Sequence, residues 1–285
     1  MTLGEMKRWL ETRGLILTKS LGQNFLHDGN QLRRIADAAG IEPGDSLLEI
    51  GPGLGPLTEL LLARGGPITA VEVDRRLVEI LRERFGQESR LTLVHADALE
   101  WLRETPRDWS ITKLVANLPY SVGSPILVEL ALAPQPPSRM VVTLQWEVIQ
   151  RLVATPDSEH YGILTVLLAA RYAAGASFKI PASCFYPPPD VESACLTLNR
   201  RPTPLVSLEA LPTYVRAVKQ AFSQRRKMMR KLLSASWPAA RVDAALAGAG
   251  IPADARAETV SPVQFAALAQ ALRAGGSPEG TSSSN

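Results

Sequence analysis

The sequence predicts an α/β domain built on a mostly parallel sheet with helices on both faces, followed by a small all-α domain. Apolar runs of strand length alternate with amphipathic runs of helix length between residues 46 and 144, the pattern of repeated β-α units. Gly- and Pro-rich clusters separate these runs, as turn chemistry requires. Beyond residue 205 the apolar spacing is helical only.

Residues 4–13 read as a short amphipathic helix ending before Gly14. Residues 19–28 mix glycine, amides and apolar side chains without a period, and read as a loop packed on another part of the chain. Asp28 caps a helix in which Leu32, Ile35, Ala36 and Ala39 share one face until Gly40. Pro43, Gly44 and Asp45 make a turn, and residues 46–50 a buried strand. Gly51-Pro52-Gly53-Leu54-Gly55-Pro56 then opens onto a helix over 57–63, which Gly65, Gly66 and Pro67 stop. A second strand covers 68–74, a second helix 77–85, and a third strand 91–95, ending at Asp97. The fourth strand, 114–116, ends on Asn117-Leu118-Pro119-Tyr120. A helix over 125–132, a fifth strand over 140–144 and a helix over 146–154 follow. Residues 162–174 are ambiguous between helix and strand, 178–180 are extended, and 185–190 form a stiff surface loop. Residues 192–199 form a last strand, with antiparallel pairing open to it. Residues 200–207, with two prolines, are the expected linker. Helices are expected over 212–236, 239–249 and 263–274, and a disordered Gly/Ser-rich tail over 275–285. The expected domains are therefore 1–204, 205–274 and the tail.

The 285 residues carry 31 Lys and Arg against 28 Asp and Glu, a net charge of +3, so the totals alone do not mark a nucleic-acid binder. Cys184 and Cys195 are too few for a disulfide framework and suit a reducing cytosol. The acidic Glu5 and the lack of a long apolar core exclude a signal peptide at the start. No apolar run reaches membrane-spanning length. His27, His95 and His160 stand in no ligand spacing with cysteine, and no metal site is expected.

Glycines between a first strand and a first helix let the backbone approach a ligand. Glu72 stands about twenty residues further on, where an acid holds ribose hydroxyls. A dinucleotide fingerprint requires glycine or alanine at position 56, but Pro56 stands there and Gly55 comes one residue early. Glu49, just ahead of the glycines, would repel a pyrophosphate. Both features disfavour NAD and suit a ligand with a cationic centre and an amino-acid tail, such as S-adenosylmethionine. Asp97 either accepts from the adenine amine of that ligand or caps the next helix. Pro119 fixes its own φ and keeps Leu118 out of the helical region. The amide of Asn117, the carbonyl of Leu118 and the ring of Tyr120 could then hold a planar amine that donates two hydrogen bonds, as adenine N6 or cytosine N4 does. Taken alone, the four residues read first as a strand followed by an Asn-Pro turn, and it is the chain before them that points to a site. Ligands of open α/β sheets sit outside the carboxyl ends of the strands, where Gly51, Glu72, Asp97 and Asn117 all fall. A donor methyl would face the Asn117 turn, the arrangement needed for amine methylation.

Four segments, in order, resemble the ribosomal RNA adenine dimethyltransferases: Leu21-Gly22-Gln23-Asn24-Phe25-Leu26, Glu49-Ile50-Gly51-Pro52-Gly53-Leu54-Gly55, Asn117-Leu118-Pro119-Tyr120, and Phe185-Tyr186-Pro187-Pro188-Pro189-Asp190-Val191-Glu192-Ser193. The resemblance covers residues 15–270 and is strongest to the small-subunit type. It implies a Rossmann-like domain dependent on S-adenosylmethionine, with a helical C-terminal domain. It also implies dimethylation at N6 of two adjacent adenosines near the 3′ end of 16S rRNA, in the small subunit or its precursor. The expected protein is a cytoplasmic monomer that acts in subunit biogenesis. On this resemblance Asn24 and Leu26 close over the donor, Gly51 and Gly53 meet it, Glu72 holds its ribose and Asp97 its adenine amine. Asn117 borders the donor and, with the Leu118 carbonyl, holds the target N6. Tyr120 stacks on the base and Phe185 covers its other face.

Arg216, Lys219, Arg225, Arg226, Lys227, Arg230 and Lys231 crowd one expected helix, whose Val215, Val218, Phe222, Met229, Leu232 and Leu233 face the core. A solvated face is the ordinary explanation. Dense local charge on a nearly balanced chain favours phosphate contact, with Arg225, Arg226, Lys227 and Arg230 as candidates. Three rivals are a large-subunit rRNA adenine methyltransferase, a DNA amine methyltransferase, which would need an extra target-recognition region, and a non-catalytic assembly factor. Glu72 and Asn117 argue against the last.

Overall fold

The structure, a computed structural model, describes residues 1–15, 24–104 and 107–274. The expected tail and Leu21, Gly22 and Gln23 of the N-terminal motif lie outside the described residues. The chain forms two compact units, one of Met1–Gln150 with Tyr172–Arg201, the other of Arg151–Arg171 with the chain from Pro202 onward. The helical unit thus takes in residues 151–171, which the sequence reading placed with the sheet.

In the first unit, α1 (Leu3–Thr12), β1 (Phe25–Leu26) and α2 (Gly29–Ala38) precede the main repeat. That repeat runs β2 (Ser46–Ile50), α3 (Pro56–Arg64), β3 (Ile68–Glu72), α4 (Arg75–Phe85), β4 (Leu91–His95), α5 (Ala98–Glu104), β5 (Thr112–Asn117), α6 (Gly123–Leu132) and β6 (Arg139–Gln145). The chain continues with α7 (Trp146–Leu152), within which the first unit breaks off at Gln150, and with α8 (Ile163–Ala169), which belongs to the second unit; β7 (Tyr172–Ile180), β8 (Phe185–Tyr186) and β9 (Ser193–Arg200) belong to the first again. The seven-stranded sheet has the order β4-β3-β2-β5-β6-β9-β7. Strands β2 to β6 pair in parallel, and β9 runs antiparallel to both β6 and β7. Leu47, Leu48, Val115, Ala116, Val141 and Val142 are buried at the sheet centre, which is why these strands read as continuous apolar runs. Strands β3 and β4 lie on one side of β2, and β5 and β6 on the other. The winding therefore reverses between β2 and β5, and a crevice opens at their carboxyl ends.

The ambiguous stretch resolves into α8 followed by β7. Ala174, Gly175, Ala176 and Ser177 are exposed, and a bulge falls between Ala174 and Ser177, so the strand is held by backbone pairing and shows no side-chain period. A second, two-stranded sheet joins β1 to β8, with Phe25 opposite Tyr186 and Leu26 opposite Phe185.

The second unit is helical, with α9 (Leu211–Ala221), α10 (Met229–Leu233), α11 (Ala239–Gly248) and α12 (Pro262–Ala274). Tyr214, Phe265, Leu268 and Leu246 are buried in it, and the Tyr214 hydroxyl donates to the Val166 carbonyl at 2.7 Å. The single helix expected over 212–236 is in fact two. Ser223 Oγ donates to the Gln220 carbonyl and Gln220 Nε2 to the Leu232 carbonyl. These side chains take up carbonyls at the break, and the adjacent cations Arg225, Arg226 and Lys227 sit in the turn between α9 and α10.

Candidate active site

Three strand tips build an open cleft lined among others by Asn24, Phe25, Gly51, Gly53, Glu72, Asn117 and Tyr120. Gly51 follows β2 at φ 69° and Gly53 lies at φ 60°, in the left-handed region that only glycine enters freely. A Cβ on Gly51 would press the Pro119 ring at 3.3 Å, and one on Gly53 would strike the Phe25 ring at 2.7 Å. The loop is therefore a cradle whose backbone faces the cleft.

Glu72 closes one end of the cradle. The residue is 5% exposed, and its carboxylate accepts from the Gly53 amide at 3.2 Å and from the Asp74 amide at 2.9 Å. Burial raises its pKa, and the two amides oppose that rise. Each oxygen has a lone pair left for a hydroxyl. Glu49 is not in the lining. It is 1% exposed and accepts from Thr58 Oγ1 at 2.7 Å. Burial pushes its pKa up to about 8, with the Thr58 bond opposing and the Glu72 charge adding to the rise.

The Asn117 turn closes the other end. Asn117 Nδ2 donates to the Asn24 carbonyl at 3.0 Å. Because a carbonyl can only accept, this bond settles which way the amide faces. Asn117 Oδ1 is then left buried with no partner among the described residues. Leu118 N–H donates to the Thr143 carbonyl at 3.2 Å, and the Pro119 carbonyl accepts from Val122 and Gly123 at 3.2 and 3.0 Å. The turn is thus held at Leu118 and again at Pro119, directly after the amide. The half-buried Tyr120 ring lies beside it, its hydroxyl 2.5 Å from Ser193 Oγ. Burial raises the Tyr120 pKa, against the pull of that bond.

Of the expected site residues, the cleft brings together Asn24, Gly51, Gly53, Glu72, Asn117, Leu118, Pro119 and Tyr120. Leu26 and Phe185 are instead core residues, each 2% exposed and packed with Leu32, Ile35 and Val115. Pairing through the β1–β8 ladder puts both side chains on its buried face, so the Phe185 ring cannot cover a base in this structure. Asp97 is exposed and outside the lining. Its Oδ1 accepts from the Leu99 and Glu100 amides at 2.8 and 3.1 Å, which is helix capping at α5. Arg230 differs from its basic neighbours, because its guanidinium is paired with the Asp243 carboxylate at 2.5 and 2.7 Å. Arg225, Arg226 and Lys227 are exposed in the helical unit.

Sequence reasoning missed Phe25, Val73 and Leu77, which also line the cleft. Val73 is an exposed apolar side chain directly after the acid at the β3 tip, a signal that could have been read. Among the described residues, no group of three or more His, Cys, Asp or Glu side chains is placed to hold a metal ion. Among them, no helix is long and apolar enough to cross a membrane.

The chain is 38% identical over 282 residues to the ribosomal RNA small subunit methyltransferase A of Moorella thermoacetica, covering 95% of this chain and 98% of the relative. It is 41% identical over 268 residues to the protein of the same name from Magnetococcus marinus, covering 93% and 95%. Among solved structures, the 23S rRNA methyltransferase ErmE superposes with a TM-score of 0.67 at 30% identity, over 88% of this chain and all of that one. A dimethyladenosine transferase from Plasmodium falciparum, at 21% identity, shares the fold with a TM-score of 0.70 over 86% of this chain and 95% of its own. A family model described as ribosomal RNA adenine dimethylase matches residues 16–274. That match spans cradle, turn and helical unit alike, and the chain belongs to the ribosomal RNA adenine dimethylase family.

Proposed function

We propose that this protein dimethylates N6 of adenosine in small-subunit ribosomal RNA, with S-adenosylmethionine as the methyl donor. The observation that carries the reading is the Oδ1 of Asn117, buried and without a partner among the described residues, on a residue that lines the same cleft as the glycine cradle. Leaving such an acceptor unpaired costs on the order of 1–3 kcal/mol, and a target amine would supply the missing donor.

The residues present fit the donor. Gly51 and Gly53 leave room for it against the backbone, Glu72 offers acceptors to its ribose, and Val73 and Leu77 give an apolar wall. Asp97 Oδ2 lies outside the capping bonds and is the acceptor we assign to its adenine amine. When bound, the donor supplies a methyl group activated by a sulfonium centre.

The chain's own contribution is to hold the target nitrogen. The lone pair of adenine N6 is delocalised into the ring, which makes it a weak nucleophile. Donation of its two N–H groups to Asn117 Oδ1 and the Leu118 carbonyl favours a pyramidal nitrogen and frees that lone pair. The amide is held ready by Asn24, so no reorganisation is needed on reaction. Holding nitrogen and methyl in line is worth several kcal/mol, roughly 7–11 in the best-oriented systems. The target must leave its stack at a cost of roughly a few kcal/mol, and the Tyr120 face offsets part of this. The proton can depart after transfer, so no general base is required.

Arg225, Arg226 and Lys227 are assigned to RNA phosphates, which steer and hold the substrate without reading its sequence. The names of the relatives at 38% and 41% identity support the small subunit as target. We extend the reading to two adjacent adenosines near the 3′ end of 16S rRNA, to a pre-ribosomal particle, and to a cytoplasmic monomer active in subunit biogenesis. The test is to incubate purified small and large subunits with the protein and deuteromethyl-labelled donor, then analyse the nucleosides by mass spectrometry. The reading predicts N6,N6-dimethyladenosine with two labelled methyls from small-subunit RNA. Label in large-subunit RNA alone would favour the activity named for ErmE.

A further inference from the structure

We propose that Ser193 is a positioning residue for this reaction, its hydroxyl tethering the far end of the Tyr120 ring so that the ring stands as a fixed face for the target base. The inference rests on the assignment of Tyr120 as that face.

Ser193 is fully buried and lies outside the cleft lining, so it meets neither substrate nor donor directly. It opens β9 and is paired on both sides, with Gln145 of β6 and with Ile180 of β7. Its backbone is therefore among the best-held near the cleft. Tyr120 has no such support. It sits in the short turn between β5 and α6 and is half-buried against the cleft. The bond from Tyr120 Oη to Ser193 Oγ joins this turn to the sheet. A stacking face is useful only where the base can lie against it, and a tether at the phenol oxygen, which lies on the long axis of the ring, keeps the ring from swinging about its Cα–Cβ bond and so fixes where that face stands.

The same stretch of chain also reaches the other half of the turn. Residues 185–193 begin with β8, whose pairing with β1 places Asn24, and the Asn24 carbonyl orients the Asn117 amide. The two ends of one loop thus set the amide and the ring that together receive the base.

The test compares Ser193→Ala, Tyr120→Phe and the double variant. For each, the donor dissociation constant, kcat and KM for small subunits, and Tm are measured. The tether predicts that each single variant loses about ten- to a hundredfold in kcat/KM for RNA, mostly through KM, with donor affinity within about twofold. The double variant should lose no more than the worse single one, because both changes break the same bond. Its Tm should recover toward the parent value, since both polar partners are gone, while kcat/KM should not. Recovery of kcat/KM together with Tm would mean that the bond only spares an unpaired hydroxyl, and would overturn the proposal. So would parent-like kcat/KM in Ser193→Ala, or strictly additive losses. If Ser193→Ala does not fold, Tyr120→Phe carries the same comparison of KM with Tm. A parent protein that leaves rRNA adenine unmodified would remove the functional reading itself, and the purpose of the tether with it. A parent that methylates as well as its Ser193→Ala variant would remove the tether alone.

Discussion

The tip of β5 and the turn between α9 and α10 are both assigned to RNA, yet they are built in opposite ways. At the β5 tip, half of the Asn117 amide is bonded to Asn24 and the other half is buried and, among the described residues, unpaired. In the α9–α10 turn, Arg225, Arg226 and Lys227 stand exposed. A buried acceptor without a partner is expensive to keep, so a fold retains it where a ligand supplies the donor. Exposed cations cost little and act through a field that salt screens. The first arrangement should govern rate and depend on geometry. The second should govern affinity and depend on ionic strength.

The largest effect is expected at the β5 tip. Asn117→Ala should lower kcat/KM for methyl transfer by about 10²–10³-fold, with RNA affinity at fixed salt within about twofold. An equal loss of RNA affinity, measured by filter binding, would erase the contrast. Next comes the triple change of Arg225, Arg226 and Lys227 to alanine. It should lower the slope of log K against log salt by about two to three and leave the rate at saturating RNA unchanged. A lowered rate at saturation would show that the turn also shapes the reacting complex.

Glu49 sharpens the contrast, because it is buried beside the same loop but already bonded to Thr58. Its folded pKa, about 8, stands above the ordinary 4.5. The unfolded chain therefore loses this proton first, and stability falls as pH rises between those two values. In Glu49→Gln that loss is absent, so its Tm advantage over the parent should grow from pH 5 to pH 8 by a few degrees. A constant difference across that range would mean that Glu49 is ionised in the folded state. The smallest effect is expected for Arg230→Ala. Its partner is Asp243 and both are exposed, so Tm should barely move and the salt slope should stay that of the parent. A slope reduced by about one would return Arg230 to the RNA-binding set.

How much of this was legible in the sequence depended on how each residue is held. The tips of β2, β3 and β5 could be read because long buried strands announce themselves by apolar runs and their ends by glycine, acid or amide. Gly51, Glu72 and Asn117 accordingly meet in one cleft. The β1–β8 ladder could not be read, since two residues on each side show no period. With it went the orientation of Leu26 and Phe185, because in a strand the face a side chain takes depends on a register the sequence does not display. The break after α9 was hidden for a different reason. Met229, Leu232 and Leu233 continue the apolar spacing, but they pack from a second helix. Asp97 was read with two roles, and the capping bonds at α5 are visible only with the helix in place.

The most direct measurement of the central claim is a crystal structure of the protein with a non-reactive donor analogue and adenosine bound together. The proposed geometry predicts the adenosine N6 at about 3 Å from Asn117 Oδ1, on the Tyr120 ring, with the donor lying over Gly51 and Gly53. An adenosine whose amine meets other groups, or a donor analogue seated away from the glycine loop, would contradict it.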